Sequence, residues 1–226
     1  MLHMKTIALW ILCFLSSLSA NIKEDQLKDR VCNILPSING WCSKEKALNF
    51  IDLVLEVKPQ VCVEIGVYGG SSLFPVASAL KFLDDGVIIG IDPWDKLECV
   101  KYFDPIEDKI NLDSWIKADL DWILKTFLLM LKRNGLEEYC FIMKMSSEKA
   151  ASQIETIDIL YLDGNFSEEG SLLDVRLYLP KVRSGGYIWM NDALSPKRTQ
   201  AGELLLEACD VVKFIDSGSC ILYKKR

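Results

Sequence analysis

The run Val61-Cys-Val-Glu64-Ile65-Gly66-Val-Tyr68-Gly69-Gly70-Ser71-Ser72 passes from an apolar stretch through three glycines into a helical pattern. Val61–Ile65 reads as a strand and Ser71–Leu83 as the helix that follows it. The same alternation repeats outward from this unit. Val87–Asp92, Tyr139–Met143, Ile157–Leu162 and Gly186–Met190 read as further strands. Helical patterns cover Asp113–Arg133, a short stretch from Ser147, Ser167–Leu179 and roughly Arg198–Cys209. Nearly continuous apolar strands separated by helices imply an α/β, doubly wound parallel sheet with helices on both faces. Only Asp216-Ser-Gly-Ser219 separates Val211–Ile215 from Cys220–Tyr223, and so short a connection makes that last pair antiparallel. Upstream, Glu24–Leu35 reads as a helix, and Ser43 caps a second, amphipathic one that ends before Pro59.

The chain has 226 residues, half of them hydrophobic and 26% charged, with a net charge of −6. That is the composition of a folded domain without the basic footprint of a nucleic-acid binder. Its single histidine, His3, lies in the leader-like segment MLHMKTIALWILCFLSSLSA. Lys5, the apolar run Ile7–Leu15 and the small residues Ser16–Ala20 have the order of a secretory signal peptide. The expected organisation is a signal peptide over 1–20 and one domain over 21–226, with N-terminal helices at 21–57 and an α/β core at 58–226. A cleaved leader implies a secreted or periplasmic protein without stable membrane insertion; a leader that does not function implies a cytoplasmic one. An uncleaved anchor and an ordinary first helix are the alternatives. Outside the leader the seven cysteines contain no CxxC pair, which argues against a structural zinc site. Cys32 and Cys42 flank a turn-rich segment and are the pair expected to bridge in an oxidising compartment.

In open α/β sheets ligands bind outside the carboxyl ends of the strands. Gly66, Gly69 and Gly70 let the backbone approach a ligand there, and the helix that follows presents free amides. The spacing is not the G-x-G-x-x-G of a nicotinamide dinucleotide site, which counts against a nucleotide-dependent oxidoreductase. Glu64 before the loop would attract a cation, and Asp92, closing the second strand, is placed to accept from both hydroxyls of a ribose. An acid, a glycine loop and a second acid suit S-adenosylmethionine.

The pattern E-x-G-x-x-x-G-x-S, spelled by Glu64, Gly66, Gly70 and Ser72, is similar to motif I of class I S-adenosylmethionine-dependent methyltransferases. The run Ile157-Asp-Ile-Leu-Tyr-Leu-Asp163-Gly164-Asn165, with Gly185-Gly186-Tyr-Ile-Trp-Met-Asn191-Asp192 after it, resembles the class 24 subgroup, which includes macrolide- and sugar-type O-methyltransferases. The resemblance covers Val57 to Arg226 and implies a Rossmann-like seven-stranded sheet whose last strand is antiparallel. It also implies that Glu64 and Gly66 line the methionine and sulfonium end, that Gly70 and Ser71 close the loop, and that Asp92 holds the ribose. Trp94 would lie beside the adenine, and Ser146 and Ser147 would reach the adenine amino group. A helix cap is the other reading of those serines.

Methyl transfer to oxygen needs an aligned acceptor and a base or metal to make the oxygen nucleophilic. Asp163 closes the fourth strand, and Asn191 and Asp192 close the fifth. Asp163 and Asp192 are the candidate catalytic carboxylates, and with Asn191 they form an all-oxygen set suited to a hard cation such as Mg²⁺. Capping of the next helix is the competing role for Asp163. Relatives commonly read D-G-x-H, whereas this chain has Phe166 at the histidine position. Base catalysis then falls to Asp163, Asp192, a lysine such as Lys144, or a metal-bound substrate hydroxyl. The leading expectation is an S-adenosylmethionine-dependent enzyme acting on a small-molecule hydroxyl. The alternative is a catalytically silent binding protein on the same fold that holds a nucleoside ligand or a partner. The long connection Trp94–Trp115 reads as a substrate lid or a solvated insertion, and Trp115 and Trp122, seven apart, as core packing.

Overall fold

The computed structural model describes residues 22–226, so the signal peptide expected over 1–20 lies outside the described residues. Seven strands form one sheet: β1 (Val61–Ile65), β2 (Val87–Asp92), β3 (Cys140–Lys144), β4 (Ile157–Leu162), β5 (Val182–Asn191), β6 (Cys209–Ile215) and β7 (Cys220–Lys225). Their order is β3-β2-β1-β4-β5-β7-β6. The first five are parallel to one another, and β7 runs antiparallel to both β5 and β6, the latter pair as its short connection requires. β1 lies between β2 and β4, with Ile65 paired to both Ile91 and Leu162. The strand order reverses at β1, so the residues just beyond Ile65, Ile91 and Leu162 open onto one crevice.

The helices divide between the two faces. α1 (22–34), α2 (Lys44–Val57) and α3 (Leu73–Leu83) cover one face, joined by α6 (Leu120–Asn134). Phe50, Leu80, Phe127 and Trp189 belong to the core on that side. α7 (Ser147–Ala151), α8 (Glu168–Tyr178) and α9 (Thr199–Ala208) cover the other, around Ala150, Val175, Tyr178 and Leu205. The Ser43 hydroxyl accepts from the Lys46 amide at 3.1 Å and starts α2 as its residue type predicts.

Three expectations are corrected. The helix read over Asp113–Arg133 is two helices, because α5 (Lys109–Lys117) ends at an extended Ala118 and the Asp119 carboxylate caps α6 by accepting from the Trp122 amide at 3.0 Å. That cap turns Trp122 outward, where it is 53% exposed instead of packed in the core. Cys32 and Cys42 are free thiols. Among the described residues no helix is long and apolar enough to cross a membrane.

Candidate active site

The carboxyl ends of β1, β2, β4 and β5 surround a cavity of about 470 Å³, a size that suits a small ligand. Gly66, Asp92, Asp163, Asn191 and Asp192 line it, each the last residue of a strand or the one after it. Gly66 has a φ of +87°, and a Cβ there would overlap the Asp163 backbone carbonyl. Glycine is therefore required for β1 and β4 to approach at this point. Trp115 and Tyr68 meet edge to face at 5.5 Å, and Trp41 stacks on Tyr68 at 4.9 Å; all three line the cavity. Trp115 thus packs against the core, as expected for it, and also lines the cavity.

On the cofactor edge, Asp92 does more than wait for a ligand. Its Oδ2 accepts from the Val67 and Tyr68 amides at 3.0 and 2.9 Å, and its Oδ1 from the Trp94 amide at 2.8 Å. These bonds clamp the glycine loop to the end of β2. Burial raises the Asp92 carboxyl pKa, and the three amides oppose the shift. Three of about four acceptor positions are occupied, which leaves room for one further donor. The Ser71 hydroxyl lines the cavity and accepts from the Cys42 amide at 3.2 Å. Ser146 and Ser147 both line it as well. Ser146 occupies the N-cap position of α7, and its hydroxyl makes no capping bond among the described residues. Ser147 donates to Asp174 Oδ1 at 2.5 Å.

Three residues expected on this edge stand elsewhere. Trp94 is 3% exposed, stacks on Phe127 at 5.9 Å and donates from Nε1 to the Tyr68 carbonyl at 2.8 Å, so it braces the loop from the core and does not line the cavity. Gly70 is also absent from the wall; its φ of +81° and the Phe127 ring against it make it a packing glycine. Glu64, 1% exposed, lies behind the wall, where its Oε1 accepts from the Ser72 hydroxyl and its Oε2 has no partner among the described residues. Burial holds its carboxyl well above the usual range.

Beyond β4 and β5 the side chains form a connected network. Asn191 donates from Nδ2 to Asp163 Oδ1 at 2.9 Å and to Asp192 Oδ2 at 3.0 Å, and its Oδ1 accepts from Lys46 Nζ at 2.7 Å. Tyr161 donates to Asp163 Oδ2 at 3.1 Å. Burial raises Asp163 to about 6, with Arg198 and Lys46 pulling it down and Asp192 pushing it up. Asp163 is therefore a half-buried, oriented carboxyl with a pKa raised to about 6.

The same network answers the metal expectation. An ammonium must donate and carboxylates must accept, so the orientation of the Asn191 amide is forced: oxygen to Lys46, nitrogen to both aspartates. Asn191 thus presents donors where a cation would need a third oxygen, and Lys46 already supplies the positive charge. The trio Asp163, Asn191 and Asp192 does not fit Mg²⁺. Among the described residues no group of three or more His, Cys, Asp or Glu side chains could hold a metal ion.

Residues 63–193 match the family model described as a methyltransferase domain, of the class 24 group. The chain belongs to this methyltransferase family. The O-methyltransferase NovP has a similar structure, with a TM-score of 0.68 and 16% identity over 91% of this chain and 98% of that one. So has the SAH-bound methyltransferase PaMTH1 of Podospora anserina, with a TM-score of 0.63 and 12% identity over 94% and 95%. The O-methyltransferase of Bacillus cereus, in complex with SAH, gives 0.61 and 13% over 89% and 91%. At such identities these likenesses show the fold. No curated protein matches the chain.

Two cavity residues of this methyltransferase were not singled out in the sequence. Lys46 looks like one charge among several on α2, and Arg198 like the start of a surface helix; both are buried in the cavity wall. Lys144, named as a possible base, is instead half exposed and 4.0 Å from Asp121 outside the cavity. The connection after Trp94 forms cavity wall through Cys99, Tyr102, Phe103 and Trp115. It is tied down by the hydrogen bond from Asn165 Nδ2 to the Cys99 carbonyl at 3.0 Å and by the Lys101–Glu148 pair at 2.9 Å.

Proposed function

We propose that this chain transfers a methyl group from S-adenosylmethionine to a hydroxyl of a small molecule, with Asp163 as the general base. The observation that carries the reading is the half-buried Asp163 carboxyl, held by Asn191 and Tyr161 at the strand switch point beside a ligand-sized cavity, with its pKa raised to about 6. S-adenosylmethionine, when bound, supplies an electrophilic methyl group on a sulfonium. Gly66, Ser71 and the remaining acceptor position of Asp92 would hold it, with the Ser146 hydroxyl at the adenine end. Asn191 and Tyr161 hold the two oxygens of Asp163, so the remaining lone pairs face a fixed direction in which the acceptor hydroxyl gives up its proton. Lys46 fixes the Asn191 amide, and the packed rings of Trp41, Tyr68 and Trp115 offer the ligand an apolar side wall.

Calorimetric titration with S-adenosylhomocysteine, followed by a screen of hydroxyl acceptors with labelled S-adenosylmethionine, tests this. The wild-type chain should bind S-adenosylhomocysteine, and Asp163→Asn should keep that binding while losing about 10²- to 10⁴-fold in turnover. A chain that does not bind the product overturns the cofactor assignment. Unchanged turnover in Asp163→Asn overturns the base.

A further inference from the structure

Arg198 is 2% exposed and lines the cavity. Its Nη1 donates to the Ser171 hydroxyl at 2.7 Å, and its guanidinium lies over the Phe166 ring, 5.5 Å from the centroid. Nε and Nη2 are buried and have no hydrogen-bond partner among the described residues. A buried guanidinium with unmet donors is costly, so the missing partner carries information. Nε and Nη2 donate in parallel from one edge of the planar group, the fork that matches both oxygens of a carboxylate. The protein's own nearby acids are engaged elsewhere. Asp163 is held by Asn191 and Tyr161, and Asp174 by Ser147, although both feel the Arg198 charge.

We propose that the Nε/Nη2 edge of Arg198 binds a carboxylate on the methyl acceptor, which makes the acceptor a small hydroxy acid. The inference rests on reading the cavity as a methyl-transfer site. A carboxylate suits the fork better than a phosphate, because a phosphate dianion would bring a second negative charge toward Asp163 and Asp174. Phe166 offers the acceptor a flat apolar surface beside the charge. Asn165, whose Oδ1 is also buried and unpaired in the wall, accepts from a second polar hydrogen of the ligand.

The test is calorimetry at pH 8 on the full chain saturated with S-adenosylhomocysteine, using the three hydroxybenzoates against the matching hydroxybenzamides. At least one acid should bind the wild type about tenfold or more tighter than its amide, as a charge-assisted bidentate pair implies. Arg198→Met should erase that preference and leave affinity for S-adenosylhomocysteine unchanged. Arg198→Lys, which keeps the charge without the fork, should retain only part of the preference. Equal binding of acids and amides by the wild type overturns the proposal and needs no variant. So does an undiminished preference in Arg198→Met. Loss of S-adenosylhomocysteine affinity in Arg198→Met assigns the fork to the cofactor's own carboxylate and overturns the acceptor assignment. A wild-type chain that fails to bind S-adenosylhomocysteine overturns the methyl-transfer reading instead, and the acid–amide comparison without it still tests the fork.

Discussion

Lys46 and Asn191, 145 positions apart in the chain, are joined by a 2.7 Å hydrogen bond from the lysine ammonium to the asparagine side-chain oxygen. Lys46 is 6% exposed, so this bond is sheltered from water, and it decides what Asn191 can do on its other side. With its oxygen committed, Asn191 must present its amide hydrogens to Asp163 and Asp192. A helix on one face of the sheet thereby orients two acids at the strand ends.

Lys46→Met should expose that dependence. Asn191 loses its orienting donor, and Asp163 loses a positive charge that helps keep it ionised. The turnover rate should fall about tenfold to a hundredfold, the range expected for loss of a charge-assisted hydrogen bond. The pH profile separates this from a merely structural defect. A base must be deprotonated, so wild-type turnover should fall as pH drops through about 6, where Asp163 takes up its proton. Removing a cation favours the neutral acid, so the acid limb of Lys46→Met should lie at higher pH than that of the wild type. A limb that stays in place would separate Lys46 from Asp163.

Chelation tests the same geometry from another side. Because Lys46 provides the positive charge beside Asn191, turnover should be insensitive to excess EDTA and to added Mg²⁺. Loss of turnover on chelation, restored by a divalent cation, would show that the amide reorients and the lysine withdraws.

The strand ends of this site were legible in the sequence because they obey local rules. Apolar runs mark strands, Gly66 marks a turn, and an acid immediately after an apolar run lies on the carboxyl edge, so Asp92 and Asp163 could be placed without coordinates. The roles at that edge were less legible. Asp92 spends most of its acceptor capacity on backbone amides of a loop 24 and 25 positions away, a use that a ribose-binding motif does not predict. Trp94 follows Asp92 closely enough to suggest a ligand contact, but its positive φ swings the ring into the core against Phe127. Lys46 and Arg198 carry no local signal. A lysine on the polar side of an amphipathic helix and an arginine after a proline both read as solvated, and only tertiary packing brings them to the cavity.

Asp174 gives a stability prediction. Burial raises its carboxyl to about 6, above the ordinary value of 3.8. The folded chain therefore binds this proton more tightly than the unfolded chain, and stability from this group is lost as pH rises from about 4 to 6. Above pH 6 the fold carries a buried charge that Asn lacks. Asp174→Asn should accordingly gain melting temperature relative to the wild type at pH 8 compared with pH 5. A difference that does not depend on pH would mean that Asp174 does not titrate between those values.

Gly66 and Gly70 look equivalent in the sequence motif, and the structure separates them. Each has a positive φ, so alanine at either position strains the backbone. A Cβ at Gly66 overlaps the backbone carbonyl of Asp163, whereas one at Gly70 overlaps the Phe127 ring. Both alanine variants should lose roughly 1–3 kcal/mol of stability, the usual cost of forcing atoms into a packed site. For a chain of this size that is a drop of about 2–12 °C in melting temperature. Only Gly66→Ala pushes on the residue that carries the base. Measured well below both melting temperatures and per folded molecule, Gly66→Ala should have lost most of its turnover, while Gly70→Ala should keep turnover close to the wild type. A ring can rotate away from an added methyl group, and a strand-end carbonyl cannot move without taking Asp163 with it. Equal loss of turnover in the two variants would place Gly70 back in the cofactor wall.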